Sequence, residues 1–291
     1  MTLNEIYTQT KQALKRAGVD SPVFDALCLF EQVFSLDRHG LIMHGGDVAD
    51  PEKTEQLNAL ADRRVGGEPL QYILGKWPFY GNEYFVGPGV LIPREDTQCV
   101  VDAAINALKG KAKLNIADLC SGTGAIAITL AQKLDCTVTA VELYDAAFSY
   151  LRKNIDCSNA DNVSPVKADV LCDYDKFSDG TFDLIISNPP YIETDEIKTL
   201  QSEVQYEPKT ALDGGQDGLI FYINIVKNWS KKLKSGGMLC FELGEGQYEP
   251  VREMMLENGF ENIGYELDLG GTKRAIYGFC RALSDKSHFT Y

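Results

Sequence analysis

From residue 114 onward, short apolar runs alternate with helical patterns, and that alternation restricts the fold more than any other feature of the chain. Strand-like runs at 114–118, 137–142, 163–168, 182–187 and 237–243 are separated by helical patterns at 124–134, 145–157 and 216–234, and a last helix fits 248–258. Such an order predicts a mainly parallel sheet with helices on both faces. Two final runs, 261–268 and 273–279, are joined only by Leu269-Gly270-Gly271-Thr272. A parallel crossover needs a longer connection, so an antiparallel hairpin is expected to close the sheet. The predicted class is α/β, Rossmann-like, with an antiparallel last strand.

What precedes residue 114 has a different texture. Residues 1–66 read as a small helical bundle: Leu3, Ile6, Thr10, Ala13, Leu14 and Ala17 recur at helical spacing and stop at Gly18. A second helix opens at Ser21-Pro22 and a third at Asp50-Pro51, each a capping residue followed by proline. His39 and His44 fall near a turn at 38–46 and read as surface residues. Residues 67–95 form a linker in which Tyr72, Leu74, Trp77, Phe79, Tyr84 and Val86 suggest a two-stranded hairpin around Gly81-Asn82. A helix capped by Asp96 or Thr97 then opens the second domain, 96–281, and a polar, loose tail is expected over 282–291.

At 291 residues, two domains are the natural expectation. The chain has 28 basic and 42 acidic residues, a net charge of −14. The first 66 residues hold 7 basic against 10 acidic, so neither part is basic and no strong nucleic-acid binding is expected. Lys227, Lys231, Lys232 and Lys234 cluster, but at a helix C-terminus they read as a solvated face favoured by the dipole. The eight cysteines form no C-x-x-C pair and lie near no histidine, so no metal site is expected; reduced thiols fit better. Neither a signal segment nor a membrane span is legible, which suggests a soluble, cytoplasmic protein with no membrane partner.

Two strand ends concentrate the chemistry. The run Phe182-Asp183-Leu184-Ile185-Ile186 reads as a buried strand stopped by Ser187-Asn188-Pro189-Pro190-Tyr191. Each proline fixes φ near −65° and restricts its predecessor, so the turn is rigid and presents an amide, outward carbonyls and an aromatic face to a small planar group. The strand Leu114 to Leu119 runs into Cys120-Ser121-Gly122-Thr123-Gly124, whose glycines allow close backbone approach at a helix start. Glu142, 20 residues beyond Gly122, is placed to accept from ribose hydroxyls.

That glycine turn suits NAD and S-adenosyl-L-methionine alike. Three features favour the second. Asp118 sits beside the loop and suits an ammonium better than a pyrophosphate; Asp169, followed by Val170, can accept from an adenine amino group; and a dinucleotide sheet needs no terminal antiparallel hairpin.

Over nearly the whole chain these residues resemble the PrmC/HemK family. The resemblance lies in Gly67-Glu68-Pro69-Leu70-Gln71-Tyr72-Ile73, Leu91-Ile92-Pro93-Arg94, the Asp118 to Gly124 loop and Asn188-Pro189-Pro190-Tyr191. Glu207 to Gly215 and Leu269 to Arg274 are similar to that family as well. The resemblance implies a class I S-adenosylmethionine-dependent methyltransferase preceded by a helical domain that helps dock the substrate. The implied reaction transfers a methyl to the side-chain amide nitrogen of the glutamine in the Gly-Gly-Gln motif of class-1 peptide chain release factors. S-adenosyl-L-homocysteine is the implied product, and a monomer is expected.

By this resemblance Asp118, Cys120, Ser121, Gly122, Thr123, Gly124, Glu142, Asp169, Val170 and Asn188 hold the cofactor. Asn188, Pro189, Pro190 and Tyr191 hold the glutamine and catalyse transfer, Tyr191 packing on the amide plane. Asn-Pro-Pro-Tyr is shared with amino-group methyltransferases acting on DNA or RNA bases, the alternative reading. Cys120 stands where the family has glycine, which a small residue tolerates if its φ is negative; Glu95-Asp96 replaces a proline-acid pair. Gly214-Gly215-Gln216 copies the substrate triplet, but before a helix it reads as a turn.

Overall fold

The computed structural model describes residues 1–281, so the expected tail at 282–291 lies outside the described residues. Two compact units share the chain. The first comprises Met1–Trp77, Val86–Pro88 and Gln201–Tyr206; the second comprises Pro78–Phe85, Gly89–Leu200 and the described residues from Glu207 to 281.

In the first unit, helices α1 (Leu3–Arg16), α2 (Pro22–Phe34), α3 (Arg38–His44), α4 (Pro51–Val65) and α5 (Leu70–Leu74) pack around Leu14, Leu29, Phe30 and Leu57. Local chemistry sets their starts. Thr2 and Glu5 form a reciprocal capping box on α1, and Asp50 accepts from the N–H groups of Glu52 and Lys53 at 2.8 and 3.2 Å on α4. Ser21 makes no side-chain cap on α2, whose start rests on Pro22 at its first position. The expected turn at 38–46 is instead largely helix α3, because Asp37 accepts from Gly40 N–H at 2.7 Å and nucleates it. Arg64 is buried at the end of α4, where Nε donates to Asp25 at 2.7 Å and Nη2 pairs with Glu203.

Strands β1 (Lys76–Phe79) and β2 (Asn82–Phe85) form a two-stranded sheet; Tyr72 and Leu74, read as hairpin residues, belong to α5. The second unit then continues through α6 (Gln98–Leu108), β3 (Leu114–Leu119), α7 (Ala125–Lys133), β4 (Cys136–Glu142), α8 (Asp145–Ser158), β5 (Val163–Lys167) and β6 (Phe182–Ser187). A single-turn helix, α9 (Ser202–Gln205), falls within the first unit. After it come α10 (Ile220–Asn228), β7 (Leu233–Glu242), α11 (Tyr248–Glu257), β8 (Phe260–Leu267) and β9 (Lys273–Cys280).

The seven-stranded sheet runs β5-β4-β3-β6-β7-β9-β8, with β9 antiparallel to both its neighbours and the other pairings parallel. This is the α/β fold of class I methyltransferases, with buried apolar clusters on both faces of the sheet. Chain order reverses at β3, whose neighbours are β4 and β6, and ligands bind at such a switch point. The register sets Leu119 beside Ser187, so the chain leaves β3 and β6 at adjacent points of one sheet edge.

The expected helix over 216–234 is shorter. α10 ends at Asn228, a 3₁₀ turn covers Trp229–Lys232, and β7 begins at Leu233. Trp229 is fully buried and donates from Nε1 to the Val170 carbonyl at 2.9 Å, which anchors the turn to the connection after β5. Of the four clustered lysines, Lys227 and Lys231 are exposed as expected, whereas Lys232 is buried and donates to Asp179 at 2.6 Å and Lys234 pairs with Asp183 at 2.7 Å. Among the described residues no helix is long and apolar enough to cross a membrane.

Candidate active site

The loop after β3 is held open by backbone conformation. Cys120, Gly122 and Gly124 adopt φ of 61°, 55° and 81°, all in the left-handed region. Gly124 is needed for packing, since a Cβ there would meet Leu151 Cδ1 at 2.6 Å. Gly122 is different: an added Cβ would find only Val90 Cγ2, at 3.9 Å, and so would enter open space. Cys120 does not take the negative φ that would suit a side chain; it sits in a glycine conformation. Ser121 Oγ donates to the Asp118 carbonyl and Gly124 N–H to the Ser121 carbonyl, both at 2.8 Å, which closes the turn.

Carboxylates secure the same loop. Glu142, at the end of β4, accepts the N–H groups of Gly122, Leu143 and Tyr144, each at 2.9 Å. Burial raises its pKa and these donors oppose the rise. Asp118 lies fully buried; Oδ2 accepts from Ala127 N–H at 3.2 Å and Oδ1 has no partner. Desolvation pushes its pKa up to about 7. Asp169 Oδ1 accepts from Leu171 N–H at 2.8 Å, an Asx turn that fixes the end of β5's connection.

Beyond β6, Asn188 is half-buried, and Pro189 and Pro190 are buried. Asn188 Nδ2 donates to Thr97 Oγ1 at 3.2 Å. Thr97 therefore caps no helix through its side chain, and neither does Asp96. Tyr191 turns its hydroxyl to Glu242 Oε1 at 3.3 Å, and its carbonyl accepts from Gln247 Nε2 at 2.8 Å. Burial raises the Tyr191 pKa strongly, with the Glu242 carboxylate adding to it. The Gly214-Gly215-Gln216 triplet lies in a turn against this loop: Gly214 N–H donates to Ile192 O at 2.8 Å, and a Cβ on Gly214 would meet Tyr191 Cα at 2.7 Å.

These elements surround one cleft, partly open to solvent. Cys120, Ser121, Gly122, Thr123, Glu142, Asp169, Val170, Asn188 and Pro190 line it. Asp118, Gly124, Pro189 and Tyr191 do not: Asp118 lies beneath the loop, Gly124 faces α8, and the Tyr191 hydroxyl is engaged by Glu242. Tyr191, expected to pack on the amide plane, follows the two prolines with its hydroxyl tied to Glu242.

The cleft also has walls that no sequence pattern singled out as site residues. Val90, Leu91, Pro93 and Arg94 form one, Pro208 and Thr210 another, and Phe221 a third. Glu207 joins the first two: its buried carboxylate accepts Ile92 N–H at 2.9 Å and pairs with Arg94. Desolvation raises the Glu207 pKa while the Arg94 guanidinium opposes it. A buried acid 113 residues from its arginine leaves no local signature.

Comparison with known proteins places this geometry. The PrmC N-terminal domain family matches residues 5–75, and the methyltransferase small domain family matches residues 101–216. Among solved structures the chain is similar to the hMettl16 catalytic domain, solved in complex with the MAT2A 3'UTR hairpin 1, with a TM-score of 0.58 at 17% identity over 91% of this chain and 82% of that one. It is also similar to a methyltransferase from Pyrococcus furiosus, with a TM-score of 0.50 at 20% identity over 70% of this chain and 91% of that one. Those likenesses concern the fold. Sequence relatives go further. The chain is 36% identical to the release factor glutamine methyltransferase of Clostridium botulinum over 95% of this chain and 98% of that protein. It is 37% identical to that of Geobacter sulfurreducens over 95% and 96%, and 35% identical to that of Fusobacterium nucleatum over 94% and 77%. With the two-unit fold and the cleft at the β3 switch point, these matches lead to one conclusion: the chain belongs to the release factor glutamine methyltransferase family.

Proposed function

We propose that this enzyme transfers a methyl group from S-adenosyl-L-methionine to the N5 side-chain amide nitrogen of the glutamine in the Gly-Gly-Gln motif of class-1 peptide chain release factors, acting in the cytoplasm. The observation that carries the reading is that the glycine loop and Asn188 line a single cleft. The family's name supports the acceptor class.

The cleft fits the cofactor. Open space in front of Gly122 leaves room for a ligand against the loop backbone. Glu142, whose two oxygens already take N–H donors, keeps lone pairs for ribose hydroxyls, and Asp169 stands on the same cleft near an adenine's expected place. When bound, the cofactor supplies a methyl on a sulfonium and departs as the thioether S-adenosyl-L-homocysteine.

The protein's task is then to hold a poor nucleophile. An amide nitrogen shares its lone pair with the carbonyl, so orientation must supply much of the acceleration, and well-aligned reactants gain about 7–11 kcal/mol. Because Asn188 donates through Nδ2 to Thr97, its Oδ1 is left to accept an N–H of the substrate amide. A carbonyl of the Asn188-Pro189 turn accepts the other N–H, and both acceptors stabilise charge growing on nitrogen. Once methylated, the substrate nitrogen would give up its proton to water. No base of shifted pKa is needed for that last transfer.

Methyl-labelled cofactor offered with a purified release factor, or with mixed DNA and RNA, tests the assignment. Label in the release factor is expected. Label in nucleic acid alone would replace this reading by the base-methylating one.

A further inference from the structure

Gln247 stands where a helix usually takes a capping side chain. It is the N-cap residue of α11, yet its side chain makes no cap there. Both ends of its amide are used elsewhere. Nε2 donates to the Tyr191 carbonyl at 2.8 Å, with a longer contact to the Gly218 carbonyl at 3.4 Å. Oε1 accepts the Gly244 N–H at 3.0 Å and lies 3.2 Å from the Tyr222 hydroxyl, which donates to the Glu242 carbonyl at 2.8 Å. A carbonyl only accepts and a backbone N–H only donates, so these partners fix which end of the amide faces Tyr191.

The space around Tyr191 is drawn as closely. Three glycines press on it, and each would collide if it carried a side chain. A Cβ on Gly214 would meet Tyr191 Cα at 2.7 Å, and one on Gly218 would meet the Tyr191 carbonyl oxygen and Gln247 Nε2. One on Gly244 would meet Gln247 Oε1 at 2.8 Å and Tyr191 Cδ2 at 3.0 Å. Tyr191 is separated from Asn188 by two prolines, whose rings fix φ near −65°. So stiff a segment passes the placement of one end to the other. Thr97 holds the Asn188 end at 3.2 Å, and Gln247 holds the Tyr191 end.

We propose that Gln247 is a positioning residue for methyl transfer: by holding the Tyr191 carbonyl it fixes the Asn188-Pro189-Pro190 turn, and with it the direction in which Asn188 meets the acceptor amide. The inference rests on the reading that Asn188 holds the substrate amide. Glutamine suits the post because it is a donor at one end and an acceptor at the other. A glutamate there keeps an oxygen for Gly244 N–H but sets a second acceptor against the Tyr191 and Gly218 carbonyls. A methionine keeps the bulk and leaves those backbone groups unpaired. Either change frees the turn to move, and a misplacement of about 1 Å can cost roughly a hundredfold in rate. Gln247 is not among the residues lining the cleft, and the glycine loop with Glu142 shares no side chain with this clamp. Cofactor affinity should therefore be untouched.

The test separates position from reaction. Side-chain ¹⁵N–¹H signals of Asn188, assigned by their loss in Asn188→Asp, are recorded in the cofactor-free protein. They should move in Gln247→Met and in Gln247→Glu, and these two variants stand in for one another should either fail to fold. In Tyr222→Phe, which removes a hydroxyl beside Gln247 Oε1 but spares the bond to Tyr191, they should stay in place. With methyl-labelled cofactor and a purified release factor, the Gln247 variants should lose about ten- to a hundredfold in kcat, the KM for the release factor changing far less. Tyr222→Phe should keep kcat within about twofold even where it melts earlier, which a merely structural role for Gln247 would not distinguish. Asn188 signals that stay in place in a folded Gln247 variant, or a kcat loss equalled by Tyr222→Phe, would overturn the proposal. Wild-type enzyme that labels no release factor would instead defeat the proposed reaction, and the Asn188 signals would still decide whether Gln247 sets the turn.

Discussion

The two sides of the cleft are built by different means. On the glycine-loop side, a carboxylate on the adjacent strand gathers three backbone N–H groups, so the wall is backbone held by Glu142. On the Asn188 side, the wall is made of side-chain pairs, Asn188 with Thr97 and Tyr191 with Glu242. A backbone wall tolerates many side chains provided the turn is kept. A side-chain wall depends on each member, and a change in one is felt at Asn188. The difference teaches that binding and catalysis should separate cleanly by mutation.

The sharpest way to break the comparison is Asn188→Ala. On the catalytic side this should cut turnover by about a hundredfold or more, the scale of losing one preorganised polar contact, while calorimetry finds cofactor affinity intact. Equal loss of both would merge the two walls into one. Glu142→Ala attacks the other side. Stranding N–H groups costs about 1–3 kcal/mol, so cofactor affinity should fall by roughly 10- to 100-fold with little change in saturated turnover. Unchanged affinity would remove Glu142 from the cofactor wall.

Asp118 gives a smaller effect, on stability. Its folded pKa is raised from 3.8 to about 7, so the ionised form is the penalised one. The favourable contribution is full below the unfolded value and is lost as pH rises through about 7. Without cofactor, Asp118→Asn should therefore melt several degrees above wild type near pH 8 and lose that advantage near pH 4, at about 2–4 °C per kcal/mol for a domain of this size. A difference independent of pH would mean that the Asp118 carboxyl titrates alike in the folded and unfolded protein. Smallest is Cys120→Gly. Relief of a left-handed residue is worth about 1–2 kcal/mol and the added glycine freedom costs about 0.5–1, so melting should rise by about 2 °C. A fall would show that burial of the thiol outweighs its backbone strain.

The same contrast explains what could be read before the fold was known. The glycine loop and Glu142 were legible because backbone geometry leaves local marks: glycines at fixed offsets, and an acid one strand later. The sheet was legible for a similar reason, since a four-residue link between two final runs admits one pairing. Asn188 was visible through its prolines. Its partner Thr97 was not, because it reads locally as a helix cap, nor was Glu242, which reads as a strand end and meets Tyr191 only in the fold. Arg64 illustrates this in the helical unit, where it is a buried hub for Asp25 and Glu203, residues 39 and 139 positions away. Helix α3 escaped because its nucleus is a single Asp37 contact.

The central claim, that a side-chain amide of a release factor is the methyl acceptor, is tested most directly by tandem mass spectrometry of a release factor after incubation with the enzyme and S-adenosyl-L-methionine. The account predicts one added methyl on the glutamine of Gly-Gly-Gln, absent with Asn188→Ala enzyme and absent when that glutamine is replaced by glutamate. A methyl on any other residue, or on nucleic acid with the release factor left unmodified, would contradict it.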